Sequence, residues 1–329
     1  MQEPRERRPR QAESFQDMAL YAIFRRTDMQ KRFHLSEAEK KFFYENGYAG
    51  PFTLYEPEEM TRVWEEVRMD LLDTEKAAFP NSKLNYDRHL DMLSLNQIIS
   101  HPKIVDRISS ILGPDVLSWR TEWFPKYPGD EGTDWHQAES FVEFEGTEKL
   151  EPTAAEEGRP WELTAWIAMS EATKENGCLK LMPGSHRTWF FDEKRNIPFE
   201  PENFNKRVLD DGQKSGFYGY DYEKLKLDPS WKPDEARAVH MEVKPGQFFI
   251  FTSRCMHGSN PNTSKDSVRF GWATRFVPTH VKVYAGQDSF HHFGEVLPLD
   301  RYSTVLVAGE DRYGHNRVTK PLAAVAALA

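Results

Sequence analysis

Residues 116–138, with the sequence VLSWRTEWFPKYPGDEGTDWHQA, decide the fold. The first twelve of these residues are rich in aromatic and β-branched side chains and end before Pro128 and Gly129. This pattern is typical of a β-strand that is followed by a turn. His136, near the end of this stretch, follows the predicted strand, so the β part of the chain begins with a candidate ligand at a strand end.

Outward from this stretch, the chain divides into a helical part and a strand-rich part. Helical patterns precede it at residues 13–33, 57–79 and 101–112, and Ser36 and Glu39 form a capping box before a further helix. Short β-type runs follow at residues 162–169, 178–182, 243–251 and 268–277. This order predicts a mainly β protein with flanking helices, whose core is a double-stranded β-helix of the jelly-roll or cupin-like type.

The domain organisation follows from the same pass along the chain. We expect an N-terminal arm and helix at residues 1–33 and a single domain at residues 34–329. Residues 139–162 and 192–232 are long, polar and spotted with aromatic side chains. Such segments are either lids over a site or plain insertions.

Composition narrows the possible partners. The 329 residues carry a formal net charge of −9, whereas nucleic-acid binding needs a basic face. No run approaches the roughly 18 apolar residues of a membrane span, and no apolar segment follows the Arg-rich start as in a secretory signal. We therefore expect a cytoplasmic protein that binds neither nucleic acid nor membrane. Cys178 and Cys255 are too few for a disulfide framework or a zinc site.

Two histidines at strand ends indicate a metal site. His136 lies in GTDWHQA, and His257 follows the apolar run at residues 247–251. Ferrous iron in oxygen-activating enzymes is usually held by two imidazoles and one carboxylate. The carboxylate normally comes from the second residue after the first histidine, since both side chains then point the same way on a strand. Here that residue is Ala138, which cannot bind a metal.

Arg269 lies inside the β-type run at residues 268–277 and therefore needs an anion. The planar guanidinium suits a carboxylate that accepts two parallel hydrogen bonds. In an enzyme that uses 2-oxoglutarate, this anion is the far carboxylate of the cosubstrate. An internal salt bridge would also satisfy the arginine.

With these residues placed, the chain resembles the phytanoyl-CoA dioxygenase-like superfamily. Within it, the chain is similar to the iron halogenases of the type that acts in syringomycin biosynthesis. The resemblance covers residues 35–317 and is carried by the segments NYDRHL (85–90), WRTE (119–122), FPKYPGDEGTDWHQA (124–138), NGCL (176–179), GYDY (219–222), WKPDEA (231–236) and RFVP (275–278).

The resemblance implies a role for each matching position. His136 and His257 bind Fe(II), and chloride takes the place that Ala138 leaves open. The cosubstrate 2-oxoglutarate is held by Arg269, Thr133, Trp166 and Phe124. The halide is surrounded by Ala138, Thr164, Ser253, Phe141 and Arg275, of which Ala138 and Arg275 are the candidate catalytic residues. Phe217 and Tyr218 are candidate substrate contacts. Glu143, in an acidic stretch that departs from the family pattern, is a third candidate because of its charge, and a solvated loop is the alternative for it.

The coordination chemistry agrees with these roles. Octahedral iron offers six positions: two imidazoles, two atoms of 2-oxoglutarate and O2 take five of them. The methyl group of Ala138 leaves the sixth position for a monovalent anion, which also replaces the missing negative charge beside Fe(II). Chloride meets both requirements.

The sequence leaves the substrate open. The resemblance implies an aliphatic amino acid carried on the phosphopantetheine arm of an aminoacyl carrier protein, in natural-product biosynthesis. A free amino acid is the main competitor, with Glu143 as a candidate partner for its amine. Two competing functions also stay open, a 2-oxoglutarate-dependent hydroxylase and a non-catalytic scaffold.

Overall fold

The computed structural model describes residues 32–142, 147–154, 158–200, 207–208, 212, 214–292 and 294–322. The helices among them are α1 (Glu37–Asn46), α2 (Pro57–Asp70), α3 (Leu93–Ile99) and α4 (Pro102–Leu112), with short 3-10 turns at Arg88–Leu90, Ser185–Arg187, Tyr222–Leu225 and Glu235–Arg237. The strands are β1 (Tyr48–Thr53), β2 (Val116–Lys126), β3 (Gly132–His136), β4 (Leu150–Pro152), β5 (Leu163–Ala168), β6 (Leu179–Leu181), β7 (Arg207–Val208), β8 (Lys214–Gly216), β9 (Val239–His240), β10 (Gln247–Phe251), β11 (His257–Ser259), β12 (Arg269–Pro278), β13 (Val281–Val283), β14 (Ser289–His292), β15 (Glu295–Pro298), β16 (Thr304–Ala308) and β17 (Val318–Thr319).

The larger sheet has the strand order β1-β10-β5-β12-β2-β16-β17 and is antiparallel except for the β16–β17 pair. Successive side chains on a strand face opposite sides of the sheet. On β12, Phe270, Trp272 and Phe276 therefore face outward and pack with the apolar faces of the helices, including Ile108 of α4 and Leu95 of α3. The helices cover this outer face, which leaves the inner face for the cavity.

The second sheet has the order β7-β8-β3-β11-β6-β9 and faces the inner side of the larger sheet. Its residues Leu179 and Leu181 share one apolar cluster with Trp166 and Phe249 of the larger sheet. Two facing, mostly antiparallel sheets with helices outside form the predicted jelly-roll core, and that prediction is confirmed. No helix in the described part of the chain is long and apolar enough to cross a membrane.

Helix boundaries agree with the predictions in part. The capping box is present, with Ser36 and Glu39 bonded to each other's backbone N–H at the start of α1. The helix predicted at residues 57–79 ends earlier, at Asp70. The reason is the buried side chain of Arg88, which donates hydrogen bonds to the carbonyls of Asp70, Leu71 and Asp73 and so satisfies the last turn. The predicted helix at residues 13–33 lies outside the described residues.

The strand predictions cover part of the observed strands, and β3, β11 and β13 to β16 are among those that were not predicted. The run predicted at residues 243–251 begins only at Gln247, because Gly246 makes a turn with a positive φ of 81°. β1 was not predicted, since Gly50 and Pro51 stand inside it. β1 is an edge strand, where proline is tolerated. The short helix α3 was also missed.

Candidate active site

A cavity of about 120 Å³ lies between the two sheets. This volume is several times the share of one water molecule, so the cavity can hold a small ligand. Inward-facing side chains of four neighbouring strands form one wall. One row across β2, β12, β5 and β10 contains Glu122, Ala273, Trp166 and Phe249, and the next row contains Arg120, Arg275, Thr164 and Phe251. The facing wall comes from Thr133, His136, Leu179, His257 and Ser259.

The two predicted metal ligands meet in this cavity. His136 ends β3 and His257 begins β11, and these two residues are direct partners in the antiparallel register. Their ring centroids are 4.0 Å apart. Each Nδ1 lies 2.8 Å from a backbone carbonyl, of Asp134 for His136 and of Cys255 for His257. These carbonyls can only accept, so they fix Nδ1 as the protonated nitrogen and leave Nε2 with its lone pair.

The electrostatic surroundings keep both imidazoles neutral. Burial lowers the pKa of His136 to about 4, against a small opposing effect of the Asp134 carbonyl. Burial and the neighbouring His136 lower the pKa of His257 well below its ordinary value. Neutral imidazoles with a shared orientation are the form that binds a divalent metal.

Ala138 lines the same cavity, although not for the predicted reason. β3 ends at His136, so residues 136 and 138 do not face one way on a continuous strand. Instead the chain turns, and the backbone N–H of Ala138 donates to the carbonyl of Ser253 at 3.0 Å. Within the described residues, no group of three His, Cys, Asp or Glu side chains could hold a metal. The described donors beside Ala138 are therefore the two imidazoles.

Gln137, which was not among the predicted site residues, fixes this turn. Its buried amide Nε2 donates to the carbonyls of Ser185, Thr188 and Arg254, and its Oε1 accepts the N–H of Phe190 at 2.8 Å. Its backbone carbonyl accepts the hydroxyl of Tyr222 at 3.0 Å. The residue between His136 and Ala138 is thus tied to three distant segments. The sequence offered one signal for the role of Gln137: it is a polar residue that does not bind metal, and it stands inside a predicted metal motif.

Arg269 opens β12 and is buried, with 2% of its surface exposed. Its Nε and Nη2 donate to the carbonyl of Gly177, and Nη1 donates to the carbonyl of Phe124 at 2.7 Å. No ion pair among the described residues involves Arg269, so an internal salt bridge finds no partner there. A guanidinium has five N–H groups, which leaves two for a ligand anion.

Trp166 lies next to Arg269 because Gly271 leaves room for it. A Cβ at Gly271 would stand 1.9 Å from the Trp166 ring, so only glycine fits between the two inward-facing residues. The Arg269 guanidinium lies 5.4 Å from the centroid of this ring. The indole Nε1 of Trp166 is buried and has no hydrogen-bond partner among the described residues. A buried donor without a partner is costly, and a bound acceptor would satisfy it.

Thr133 and Tyr218 complete the end of the cavity that contains Arg269. The hydroxyl of Ser259 donates to Thr133 Oγ1 at 2.9 Å, and the side chain of Tyr218 also hydrogen-bonds to Thr133. Burial raises the pKa of Tyr218, while the positive charge of Arg269 opposes this shift. Tyr218 was predicted as a substrate contact. The structure brings it to the Arg269 end, where the cosubstrate was predicted to bind.

The opposite end of the cavity contains the residues predicted to surround a halide. Thr164 Oγ1 and Ser253 Oγ are 3.3 Å apart, and Thr164 Oγ1 also donates to Glu162 at 3.1 Å. Glu162 accepts the backbone N–H of Ser253, and burial raises the pKa of this carboxyl to about 7. Phe141 lies here with its ring 5.1 Å from the Arg275 guanidinium.

Arg275 belongs to a cluster of charged side chains in and behind the cavity wall. Its Nη1 lies 2.8 Å from Glu122 Oε2. Glu122 also lies 3.2 Å from Arg120 and 3.8 Å from His292. Glu122 and His292 line the cavity but were not predicted. Glu122 stands in the segment WRTE, yet only the register, which places it beside Ala273, shows that it faces inward.

The remaining candidate residues are divided between the described and undescribed parts. Phe217 lies over the metal site, with its ring centroid 4.6 Å from that of His136. Glu143 lies outside the described residues. His186, a further histidine at the end of the turn at residues 183–186, is directed away from the cavity, and its Nε2 lies 3.2 Å from the carbonyl oxygen of Tyr44. Both cysteines are buried and unpaired.

Comparison with known proteins places this geometry in context. The family model for phytanoyl-CoA dioxygenase matches residues 43–271. A 2-aminoethylphosphonate dioxygenase of an uncultured bacterium is 25% identical over 167 residues, which are 50% of this chain and 48% of that protein. The match thus spans about half the length of that relative. A probable alpha-ketoglutarate-dependent hypophosphite dioxygenase of Stutzerimonas stutzeri is 21% identical over 247 residues, or 70% of this chain and 75% of that protein.

A solved structure is similar over more of the chain. The structure of CytC3 with Fe(II) and alpha-ketoglutarate is 37% identical, with a TM-score of 0.68, and the match covers 87% of this chain and 93% of that one. The residues of the present cavity fit both groups. Two imidazole Nε2 atoms suit ferrous iron, and the two spare N–H groups of Arg269 with the unpartnered Trp166 N–H suit a carboxylate.

Proposed function

The chain belongs to the phytanoyl-CoA dioxygenase family, whose match covers most of its length, and from that premise we propose that it is a halogenase. It uses Fe(II), 2-oxoglutarate, O2 and chloride to replace a hydrogen on an unactivated aliphatic carbon of an amino acid by chlorine. The broader activity, that of a non-haem iron and 2-oxoglutarate-dependent oxygenase, follows from the family.

One observation carries the narrower proposal. Ala138 lines the cavity beside the two imidazoles, and no described carboxylate joins them as a third ligand. The position that a carboxylate would fill is therefore open to a small anion. A monovalent halide fits both the space and the charge that Fe(II) requires there.

In this proposal, each end of the cavity has its own task. His136 and His257 would hold iron through Nε2. Arg269, with Thr133 and the Trp166 N–H, would bind the far carboxylate of 2-oxoglutarate, and Phe124 would contact its chain. Because Arg269 donates to backbone carbonyls and not to an acid, its positive charge is available to this carboxylate.

The halide would lie between Ala138 and a mixed polar and aromatic wall. Phe141 would limit the space and exclude water. The hydroxyls of Thr164 and Ser253, which hydrogen-bond to Glu162 in this structure, would turn to donate toward a bound anion. Arg275 adds a positive charge that Glu122 partly balances at 2.8 Å. Such a wall favours an anion of charge −1 over neutral water.

When bound, iron with 2-oxoglutarate and O2 supplies the oxidation that removes a hydrogen atom from the substrate, and 2-oxoglutarate becomes succinate and carbon dioxide. The protein contributes placement more than proton transfer. Phe217, packed over His136, would fix the substrate above the metal and nearer to the halide, so that chlorine and not hydroxyl is transferred.

We propose that the amino acid arrives on the phosphopantetheine arm of a carrier protein. The support is the sequence resemblance to halogenases that act on carrier-bound amino acids. The test compares a carrier protein loaded with threonine, 2-aminobutyrate, valine or isoleucine with the same free amino acids, and chlorinated product is detected by mass spectrometry. Product from the free acids alone would contradict carrier binding and leave the halogenase proposal intact.

Substitution of Ala138 tests the halogenase proposal itself. Ala138→Asp should fill the open position and abolish chlorine incorporation, whereas Ala138→Gly should keep the position open and retain it. Both variants must bind 2-oxoglutarate as the natural sequence does. Continued chlorination by Ala138→Asp would contradict the proposal, and chloride-independent hydroxylated product from the unmodified protein would replace it by a hydroxylase.

A further inference from the structure

The turn after Ala138 is held by a carboxylate from a distant segment. Glu193 Oε2 accepts the backbone N–H of Glu139 at 3.0 Å, and Oε1 accepts that of Ser140 at 3.0 Å. The N–H of Phe141 also faces this carboxylate and opposes the rise in its pKa that burial causes. Three consecutive amides thus converge on one side chain, which belongs to the second long insertion and lines the cavity.

This arrangement is an anion-binding nest that an internal carboxylate fills. Phe141, at the end of this turn, has a left-handed φ of +51°. A non-glycine residue adopts this conformation at a cost. Hydrogen bonds to a charged acceptor are about twice as strong as neutral ones and offset that cost.

The turn determines where the Phe141 ring lies. Phe141 packs edge-on to Trp119 with centroids 5.2 Å apart and lies 5.1 Å from the Arg275 guanidinium. It thereby forms the wall beside Ala138. If the turn relaxed to ordinary backbone angles, this ring would leave the wall and water would enter.

We propose that Glu193 is a positioning residue, which sets the affinity of the Ala138 position for chloride by holding Phe141 against the cavity. This inference rests on the proposed function and adds to it a residue from outside the motifs. Glu193 does not itself contact the metal ligands in the described hydrogen bonds. Its effect passes through the turn at residues 139–141.

Neighbouring contacts support the same assignment. Lys194 Nζ pairs with Glu148 Oε1 at 2.5 Å, and Gln137 Oε1 accepts the N–H of Phe190. The segment around Glu193 is therefore joined to Gln137 before the turn and to Glu148 of the first insertion after it. Asp192, by contrast, bonds to its own neighbours Lys194 and Arg195 and does not line the cavity.

The test uses Glu193→Gln, with Asp192→Asn as the matched control. Glutamine keeps the size of the side chain but replaces one acceptor oxygen by an N–H₂ that faces a backbone N–H. The holoprotein is prepared without O2, with Fe(II) and 2-oxoglutarate, and its visible charge-transfer band is titrated with chloride and, separately, with 2-oxoglutarate. We expect the chloride dissociation constant to rise about tenfold or more in Glu193→Gln, and the 2-oxoglutarate constant to stay within about twofold.

Hydrogen–deuterium exchange of the variant provides a second measurement that needs neither metal nor activity. The amides of residues 139–141 should exchange faster in Glu193→Gln and unchanged in Asp192→Asn. Unchanged chloride binding in Glu193→Gln, equal losses of chloride and 2-oxoglutarate affinity, or unchanged exchange would each overturn the inference. If the charge-transfer band of the protein with its natural sequence does not respond to chloride, the proposed function fails as well. A response in the natural sequence with no change in Glu193→Gln would overturn the inference alone.

Discussion

The two ends of the cavity are built in different ways. At the Arg269 end, regular strands project most of the side chains: Arg269 from β12, Trp166 from β5, Phe124 from β2 and Thr133 from β3. At the Ala138 end, Ala138, Phe141 and Ser253 lie in turns. Two side chains fix these turns: Gln137, which belongs to the turn itself, and Glu193, which comes from the distant insertion at residues 192–232.

This difference indicates how each end tolerates change. A strand distributes its hydrogen bonds over many residues, so the loss of one side chain removes a ligand contact and leaves the backbone in place. A turn held by one or two side chains depends on those side chains for its shape. Substitutions at the Arg269 end should change ligand affinity, and substitutions at the Ala138 end should also change stability or local order.

The largest expected effect is the loss of iron in His257→Ala, which removes one of the two imidazoles shared by both ends. Mutation of a residue that hydrogen-bonds to a metal ligand typically lowers the metal affinity about 10- to 100-fold. Removal of the ligand itself should therefore lower the iron affinity by more than about 100-fold. Iron content after gel filtration measures this. His186→Ala, whose side chain faces away from the cavity, is the control and should retain iron. Full iron occupancy in His257→Ala would show that the metal site lies elsewhere.

The next effect concerns the strand-built end alone. Arg269→Gln should weaken 2-oxoglutarate binding by about 2–5 kcal/mol, since a buried carboxylate then lacks its charged partner. This corresponds to about 30-fold to several thousand-fold in the dissociation constant. The exposed Arg237→Gln serves as control. The charge-transfer band measures the 2-oxoglutarate affinity. An unchanged affinity in Arg269→Gln would show that the Arg269 end of the cavity is not where 2-oxoglutarate binds.

The turn-built end is tested by Gln137→Ala. The variant leaves the carbonyls of Thr188 and Arg254 and the N–H of Phe190 without their partner, while the Ser185 carbonyl keeps the N–H of Thr188. We expect the free energy of unfolding to fall by about 2–4 kcal/mol. Gln287→Ala, which loses a single hydrogen bond to the Glu148 carbonyl, should lose about 1 kcal/mol. Equal losses in urea unfolding would mean that Gln137 does not hold the turn.

The last effect is one of pH dependence and concerns Asp87, a buried carboxyl near Arg120 and Glu122. Burial raises the pKa of Asp87 from 3.8 to about 7, while Arg120 opposes the shift. The folded state therefore binds this proton more tightly than the unfolded state, and the stabilisation present below pH 3.8 is lost as the pH rises through about 7. Asp87→Asn keeps the acceptor for the Thr121 N–H and should flatten the fall in unfolding free energy between about pH 4 and 7. Parallel pH profiles would contradict the assignment.

The same contrast explains what could be predicted from the sequence. The jelly-roll fold follows from the order of helical and strand-like patterns. The meeting of His136, His257 and Arg269 was predicted from strand ends and from the family resemblance, although β3 and β11, which hold the two histidines, were not predicted. Gln137, Glu193 and His292 escaped prediction, since their roles depend on contacts between segments far apart in the chain. Glu122 stands in the segment WRTE, but its direction required the register of β2 against β12.

Titration of chloride against the Fe(II) and 2-oxoglutarate complex, without O2, tests the central claim most directly. The ionic strength is kept constant with sulfate, and Ala138→Asp is titrated in parallel. The account predicts a charge-transfer band that shifts or strengthens as chloride binds to the natural sequence and stays constant in Ala138→Asp. A band that forms with 2-oxoglutarate but ignores chloride in the natural sequence would contradict the account.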